Sequence, residues 1–229
     1  MLKSLISGMP VGSARELSAD RSRTVCITGH REKNILPYRG DPVYTDITVG
    51  AVKMMLYRYI DMAAERGYTD FISGLATGAD LWAAEYIVRK KQTDPRIRLI
   101  GAMPYLRHAE RFPRDYAALL DSVERAADVL VTVNETPDIV YSKQGEAAGL
   151  YRDRNYFMVD RSSAVIAFLN EGSFASGTSQ TVNYAYRNGR LICRFGIDDV
   201  YALIDRAGAD LRSIRRETAF LNNVFDIAP

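Results

Sequence analysis

Residues 69–85, TDFISGLATGADLWAAE, combine a short apolar stretch, a loop of small residues and a run of helix-forming residues. Gly74 and Gly78 loosen the backbone where a strand would turn into a helix. Such a turn leaves the first N–H groups of the helix without partners, and these groups bind anions, most often phosphates. Ser73 and Thr77 add hydroxyl donors to the same loop. We therefore predict a phosphate-binding turn in this segment.

The glycine spacing of this loop differs from two common phosphate-binding motifs. No Lys-Ser or Lys-Thr pair follows the glycines, which excludes a Walker A loop, and the pattern is not GxGxxG either. Asp80 lies in the first turn of the predicted helix, where it suits either a helix cap or a ligand for a ribose hydroxyl. A tight turn without a ligand, with Asp80 as a plain cap, stays open as the alternative.

Two further segments are expected to meet the same ligand. Gly29, His30 and Arg31 follow the first predicted strand, and the loops after the strands of an open parallel sheet form its ligand crevice. Residues 170–178, NEGSFASGT, form a second loop of small residues before a helix. Two such loops at one sheet edge suit a ligand with a phosphate and a second polar end, such as a nucleotide. The alternative for His30 and Arg31 is a polar turn residue and a solvated side chain.

Strands and helices alternate along the chain around these loops. Apolar, β-branched runs predict the strands, and apolar residues at helical spacing predict the helices. The alternation predicts an α/β fold: a Rossmann-like, doubly wound, mostly parallel sheet with helices on both faces. Two long loops, residues 32–46 and 135–151, are expected to lie over the ligand crevice. The predicted strands are residues 24–28, 71–72, 96–102, 129–133, 164–169 and 191–195, and the predicted helices are residues 47–66, 81–91, 110–127, 152–161 and 179–187, with a polar helix from residue 198.

The composition of the 229 residues is that of a globular protein, with 47% apolar and 25% charged residues. We expect a polar N-terminal arm over residues 1–23, a Rossmann-like domain over residues 24–197 and a helical extension over residues 198–229. The formal charge of +2 provides no net attraction to nucleic acid or anionic lipid. Binding of a polyanion would therefore need a local basic patch.

Membrane, secretion and metal signals are missing from the sequence. No apolar run approaches the ~20 residues of a membrane span, and residues 1–12 contain too short an apolar core for a secretion signal. We therefore expect a cytoplasmic protein with no membrane partner. Cys26 and Cys193 lie in apolar runs and are expected to be buried, reduced thiols. No residues have the spacing of a metal site.

Four short motifs follow one another along the chain. They are Thr28-Gly29-His30-Arg31, SGLATGAD with WAAE at residues 73–80 and 82–85, Arg154-Asn155 with MVD at residues 158–160, and Ser176-Gly177-Thr178. Their order resembles the YpsA-like branch of the SLOG superfamily over residues 24–195. The resemblance implies a Rossmann-like domain that binds nucleotides or nucleotide-derived ligands, and it implies a homo-oligomer, in the form of a dimer.

The resemblance and the loop positions together define the expected ligand-binding residues. Most of them follow the ends of strands, and two lie on a predicted helix. They are Gly29, His30, Arg31, Ser73, Gly74, Ala76, Thr77, Gly78, Asp80, Pro104, Arg154, Asn155, Ser176, Gly177 and Thr178.

The second half of the match resembles the Lonely Guy phosphoribohydrolases, which cleave the N-glycosidic bond of nucleoside monophosphates. Arg154 matches an arginine that serves this reaction, but Thr181 stands where these enzymes carry a glutamate. Cleavage builds positive charge on the ribose, which a carboxylate stabilises and a threonine does not. Asp80, Glu85 and Glu171 are the carboxylates that could replace it. The candidate catalytic residues are therefore Arg154, Glu171 and Glu85.

The stretch SGLATGAD resembles a loop of the DNA-processing protein A family, whose members bind single-stranded DNA. That function needs a basic groove with stacking aromatic rings. The residues that could build one here are Tyr105, Arg107, His108, Arg111 and Phe112. The alternative is a helix start with ordinary surface charge.

Three functional hypotheses follow. The first is a protein that binds, and thereby senses, a nucleotide or nucleotide derivative, without a further cofactor or metal. The second is a hydrolase that cleaves the N-glycosidic bond of a nucleotide. The third is a protein that binds single-stranded nucleic acid.

Overall fold

The computed structural model describes residues 2–140, 146–170 and 176–221. Eight strands and seven helices are assigned within these ranges. The strands are β1 (Leu2–Lys3), β2 (Pro10–Ser13), β3 (Thr24–Gly29), β4 (Asp70–Ser73), β5 (Arg98–Met103), β6 (Val129–Thr132), β7 (Ala164–Phe168) and β8 (Leu191–Phe195). The helices are α1 (Thr45–Glu65), α2 (Ala79–Lys91), α3 (Arg114–Ala126), α4 (Glu146–Asp160), α5 (Gly177–Arg187), α6 (Ile197–Ala207) and α7 (Leu211–Thr218).

The strands form one sheet in the order β1-β2-β6-β5-β4-β3-β7-β8, in which every neighbouring pair except β1 and β2 is parallel. From β3 the chain builds outward through β4, β5 and β6 on one side and then crosses to β7 and β8 on the other. The strand order therefore reverses between β3 and β7. At such a switch point the loops that follow the two strands diverge and leave a crevice for ligands.

Helices cover both faces of the sheet, as the sequence predicted. Successive side chains of a strand point to opposite faces, so Val25 and Ile27 pack into the core cluster that includes α1, α2 and α3. Cys26 packs into a second cluster, formed with α4 and α5. Because both faces are buried, the strands are almost continuously apolar. The α/β, Rossmann-like and doubly wound fold is confirmed.

The N-terminal arm extends the sheet, a pairing that the sequence analysis did not predict. β2 runs parallel to β6, and Val11 on β2 is buried. On α3, the carboxylate of Glu124 is 1% exposed and accepts a hydrogen bond of 2.5 Å from the Ser4 hydroxyl. The sequence predicted a polar arm because of the charged residues that follow these contacts, which are Arg15, Glu16, Asp20, Arg21 and Arg23. The boundaries of the three expected segments stay a prediction.

Two helices, α3 and α4, begin four or more residues away from the predicted start, whereas α1, α2 and α5 begin two residues before it. α4 begins at Glu146 rather than at residue 152, so the loop expected over residues 135–151 is shorter than predicted, and residues 141–145 lie outside the described ranges. Gly149 had favoured a loop, but packing of α4 on α5 outweighs the cost of about 1 kcal/mol of a helical glycine. α3 begins after Pro113, whose ψ of 153° is extended.

The two cysteines agree with the expectation of buried thiols. Cys26 and Cys193 are free and buried. None of the described helices is both long and apolar enough to cross a membrane.

Candidate functional site

A cavity of about 200 Å³, called here the polar cavity, lies at the carboxyl ends of β3, β4 and β7, at the switch point of the sheet. Backbone and polar side chains from three loops and from α4 form most of its wall. The lining residues are Thr28, Gly29, His30, Arg31, Asn34, Ala76, Asp80, Tyr151, Arg154, Asn155, Ser176, Gly177 and Thr178.

Gly78 brings the loops after β3 and β4 into backbone contact. Its φ of 91° and ψ of −134° suit glycine, and a Cβ atom here would lie 2.7 Å from the nitrogen of Glu32 and from the oxygen of His30. The Ala79 N–H donates to the His30 carbonyl at 3.3 Å. The first N–H of α2 is therefore used within the protein.

Most polar groups at the start of the loop between β4 and α2 bond within the protein and do not face the polar cavity. The Ser73 hydroxyl is fully buried, donates to the Asp80 carbonyl at 2.9 Å and accepts from the Leu75 N–H at 3.1 Å. Gly74 lies against Arg154, whose guanidinium donates to the Gly74 carbonyl. These predicted ligand-binding residues thus lie behind the wall.

The start of α5 is more open to the polar cavity than the start of α2. Ser176 caps the helix, since its hydroxyl accepts from the Ser179 N–H at 3.0 Å. The N–H groups of Gly177 and Thr178 have no acceptor among the described residues. Both residues line the polar cavity. Unpaired N–H groups at a helix start are the feature that binds phosphate.

Asp80 and Arg154 form a buried pair in the wall of the polar cavity. The Asp80 carboxylate accepts from the Gly29 N–H at 3.1 Å and lies 3.8 Å from the Arg154 guanidinium, with side-chain exposures of 7% and 5%. Burial raises the pKa of Asp80 to about 6, although Arg154 and the Gly29 N–H act in the opposite direction. Burial also lowers the pKa of Arg154.

His30 connects the loops after β3 and β7. Its Nε2 atom accepts from the Asn170 N–H at 3.0 Å, so the proton of the neutral ring is on Nδ1. Burial lowers the pKa of His30 and thus favours this neutral form. His30 therefore positions the two loops instead of supplying a cation.

The carboxylates proposed for catalysis are not brought together. Thr181 is fully buried and its hydroxyl donates to the Gly177 carbonyl at 2.7 Å, so the position that carries a glutamate in the Lonely Guy enzymes is filled by a satisfied side chain. Glu85 lines a different cavity, beside Trp82. Glu171 lies outside the described residues. Among the described residues that line the polar cavity, Asp80 carries the single carboxylate.

A larger cavity of about 510 Å³ adjoins the polar cavity, and we call it the basic aromatic cavity. The two share Arg31 and Tyr151, whose guanidinium and ring centre are 6.0 Å apart. Tyr105, predicted to stack on a base, is instead fully buried behind Tyr151 with ring centres 5.8 Å apart. The lining residues are Arg31, Glu32, Lys33, Thr77, Arg107, His108, Arg111, Phe112, Pro113, Tyr116 and Tyr151.

The remaining predicted residues differ in their placement. Thr77 lines the basic aromatic cavity. Pro104 is buried outside both linings, and its carbonyl accepts from the Asn134 N–H at 3.2 Å.

Tyr151 was missed because the sequence predicted a loop there. Tyr151 lies three residues before Arg154 and four before Asn155, so all three lie on one face of α4. Predicting the correct start of α4 would have identified Tyr151.

This combination of fold and cavity defines a doubly wound α/β domain with a ligand crevice at its switch point. Residues 25–199 match the model of the YpsA family, described as the YspA SLOG family. The chain therefore belongs to this SLOG family, which confirms the resemblance noted from its motifs.

Curated relatives include UPF0398 proteins of two bacteria. The protein of Bacillus cereus is 22% identical over 149 residues, which cover 65% of this chain and 75% of the relative. The protein of Halalkalibacterium halodurans is 24% identical over 120 residues, which cover 52% and 60%.

Solved structures with a similar fold include DNA processing protein A from two bacteria. The Helicobacter pylori protein has a TM-score of 0.50 and 19% identity, with 90% of this chain and 83% of that chain covered. The Streptococcus pneumoniae protein has a TM-score of 0.45 and 17% identity, with 88% and 62% covered. At these identities the likeness concerns the fold.

Proposed function

We propose that this protein binds a nucleotide or a nucleotide derivative in the polar cavity. The observation that carries the proposal is the convergence of three loops and the start of α5 on one polar hollow at the switch point of the sheet. Membership of a SLOG family supports the same class of ligand.

The wall of the polar cavity offers a distinct role to each end of such a ligand. The N–H groups of Gly177 and Thr178 would bind a phosphate, and the Arg31 guanidinium would add positive charge. Asp80 and the Asn155 amide would bind ribose hydroxyls. Arg154 would hold Asp80 in place and raise the positive potential of the wall.

A thermal-shift panel of nucleoside monophosphates, NAD, ADP-ribose and cyclic nucleotides tests the proposal. We expect at least one of them to raise the melting temperature, and Arg31→Ala to reduce that shift. Arg206→Ala on α6 removes an exposed arginine outside both cavities and is the matched control. A panel that leaves the melting temperature unchanged would count against nucleotide binding.

Hydrolysis of an N-glycosidic bond is a second candidate, because one carboxylate does line the polar cavity. Asp80, with its pKa raised to about 6, would take the role that Thr181 cannot fill. The test is release of free base from nucleoside monophosphates by purified protein. Release that Asp80→Asn abolishes would support the hydrolase, while inertness toward all common monophosphates would exclude these substrates.

Binding of single-stranded nucleic acid is a third candidate, favoured by the basic aromatic cavity. The Helicobacter pylori neighbour is described as having a unique single-stranded DNA binding mode. Four of the five residues that the hypothesis named line this cavity, namely Arg107, His108, Arg111 and Phe112, whereas Tyr105 is buried. Binding of a labelled oligonucleotide that weakens steeply with salt would support it.

The expected dimer and the expected cytoplasmic location complete the proposal. Sedimentation of the purified protein measures the first, and microscopy of a fluorescent fusion measures the second. A monomer at micromolar concentration would contradict the dimer.

A further inference from the structure

A complete nucleotide does not fit into the polar cavity. The cavity volume of about 200 Å³ lies below the ~300 Å³ at which cavities for drug-sized ligands begin. A phosphate and a sugar would fill this volume, so a base would have to lie outside it. The neighbouring space is the basic aromatic cavity of about 510 Å³, and Arg31 and Tyr151 line both cavities.

Aromatic rings form part of the wall of the basic aromatic cavity. Phe112, from the segment before α3, and Tyr151, on α4, are half-buried, so each keeps some exposed ring area. The His108 ring contacts Phe112 edge-on, with ring centres 5.8 Å apart and an angle of 87° between the planes. Tyr116 is nearly buried, and its hydroxyl donates to the Glu32 carboxylate at 2.5 Å. Every base has a π face that can stack on such rings, so this cavity suits a base.

The same lining contains uncharged hydrogen-bonding groups for the edge of a base. The His108 Nδ1–H donates to the Tyr105 carbonyl at 3.2 Å, so Nε2 of the neutral ring carries a lone pair. Burial lowers the pKa of His108 to about 3, which keeps the ring neutral at physiological pH. Nε2 is buried and has no partner among the described residues, so an N–H group of a base would supply a donor. Thr77 adds a hydroxyl, which can both donate and accept.

We infer that the basic aromatic cavity is the base-binding part of the site. The base stacks on Phe112, while the phosphate and the sugar of the same nucleotide lie in the polar cavity. This inference rests on the proposed function. Arg31 and Tyr151, whose guanidinium and ring centre are 6.0 Å apart, lie where the sugar and the base join. One nucleotide thus spans both cavities, and a sugar phosphate without a base leaves the larger one unused.

Calorimetric titration with and without a base on the ligand tests the inference. The probes are ribose 5-phosphate and the 5′-monophosphates of adenosine, guanosine, cytidine and uridine. We expect at least one nucleoside monophosphate to bind about fivefold more tightly than ribose 5-phosphate or better, because a stacked base contributes about fivefold to hundredfold in affinity. The monophosphate that binds most tightly is then used with the variants.

Three substitutions at one position locate the base. Phe112→Ala and Phe112→Leu both remove the stacking ring, and Phe112→Leu keeps an apolar side chain against the core. Both should weaken binding of the nucleoside monophosphate by about fivefold or more and leave ribose 5-phosphate binding unchanged. Phe112→Tyr keeps a ring and should retain the affinity of the native protein. Arg206→Ala should alter neither ligand.

The outcomes separate the inference from the proposed function. Equal affinity for ribose 5-phosphate and all four nucleoside monophosphates would overturn the base-binding role while the site for phosphate and sugar stands. A tighter monophosphate whose affinity Phe112→Ala and Phe112→Leu leave unchanged would place the base elsewhere and also overturn the inference. Equal weakening of both ligands by these two variants would do the same. Failure of every probe, ribose 5-phosphate included, would remove the proposed function itself.

Discussion

At the scale of single residues, the polar cavity depends on side chains that hold its loops together. Asp80 receives the Gly29 N–H and faces Arg154, while Arg154 donates to the Gly74 carbonyl. The pair connects the loops after β3 and β4 with α4. Removing one member of a buried ion pair leaves the other charge unpaired, which is more costly than losing the attraction alone.

The raised pKa of Asp80 predicts a stability that falls with pH. The native state holds the proton of the Asp80 carboxyl more tightly than the unfolded chain does. The contribution of Asp80 to the free energy of unfolding is therefore complete below about pH 4 and is lost as the pH rises through about 6. A difference of about 2 pKa units corresponds to about 3 kcal/mol. Urea unfolding measures this loss. Between pH 4 and pH 7, the free energy of unfolding of the native protein should fall by about that amount relative to that of Asp80→Asn.

The control for this prediction is Asp46→Asn, since Asp46 is exposed in the first turn of α1. The Asp46→Asn variant should keep the fall in the free energy of unfolding between pH 4 and pH 7 that the native protein shows. The same fall for Asp80→Asn as well would show that Asp80 does not titrate in this range.

Gly78 provides a second prediction, on backbone strain. Alanine at its φ of 91° would cost about 1–3 kcal/mol, and crowding of the Cβ atom by the backbone of Glu32 and His30 adds roughly 1–3 kcal/mol. We expect Gly78→Ala to lower the free energy of unfolding by roughly 2–6 kcal/mol. Gly189→Ala is the control, because its φ is 63° with nothing within 4 Å of the new atom, and it should cost only about 1–2 kcal/mol. Equal losses would refute the role of close packing.

At the scale of elements, α2 and α5 begin in chemically different ways. The first N–H of α2 is paired with the loop after β3, whereas the start of α5 is capped by its own Ser176 and faces the polar cavity. Two loops of similar composition thus differ: the loop before α2 supports the structure, and the loop before α5 leaves N–H groups for the anion binding that we propose.

The cap of α5 allows a test of this division. Ser176→Ala should lower the free energy of unfolding by about 1 kcal/mol, while Ser176→Gly should cost only a few tenths. Ser176→Gly should also keep nucleotide binding, because the N–H groups of Gly177 and Thr178 are backbone groups. Chemical denaturation and calorimetric titration measure the two effects, and loss of binding with an intact fold would assign the hydroxyl itself to the ligand.

At the scale of the whole molecule, near-neutral overall charge conceals a local basic patch. The formal charge is +2, yet the described lining of the basic aromatic cavity carries four cations and one carboxylate. Residues from the loop after β3 and from the segment before α3 meet there. Their proximity follows from the parallel order of β3, β4 and β5 and is not visible in net charge.

The N-terminal arm is the other feature at this scale. Because Glu124 is buried, Ser4→Ala should leave its carboxylate with one partner fewer and lower the free energy of unfolding by about 1–3 kcal/mol. Ser18→Ala, at an exposed position of the same arm, should change it by less than about 0.5 kcal/mol. Thermal or urea unfolding compares the two, and equal small effects would mean that the arm contributes little to the fold.

The sequence by itself determined the fold class, six of the eight strands and the SLOG family, because hydrophobic periodicity and short motifs are local properties of the chain. It also predicted that Asp80, Arg154 and the loop at Ser176 belong to one site, and all three line the polar cavity. Only the tertiary structure decided that Ser73 and Gly74 lie behind the wall, that Tyr151 joins the two cavities, and that residues 10–13 extend the sheet. Those outcomes depend on which hydrogen-bonding groups find a partner in another segment, and packing between distant segments decides that.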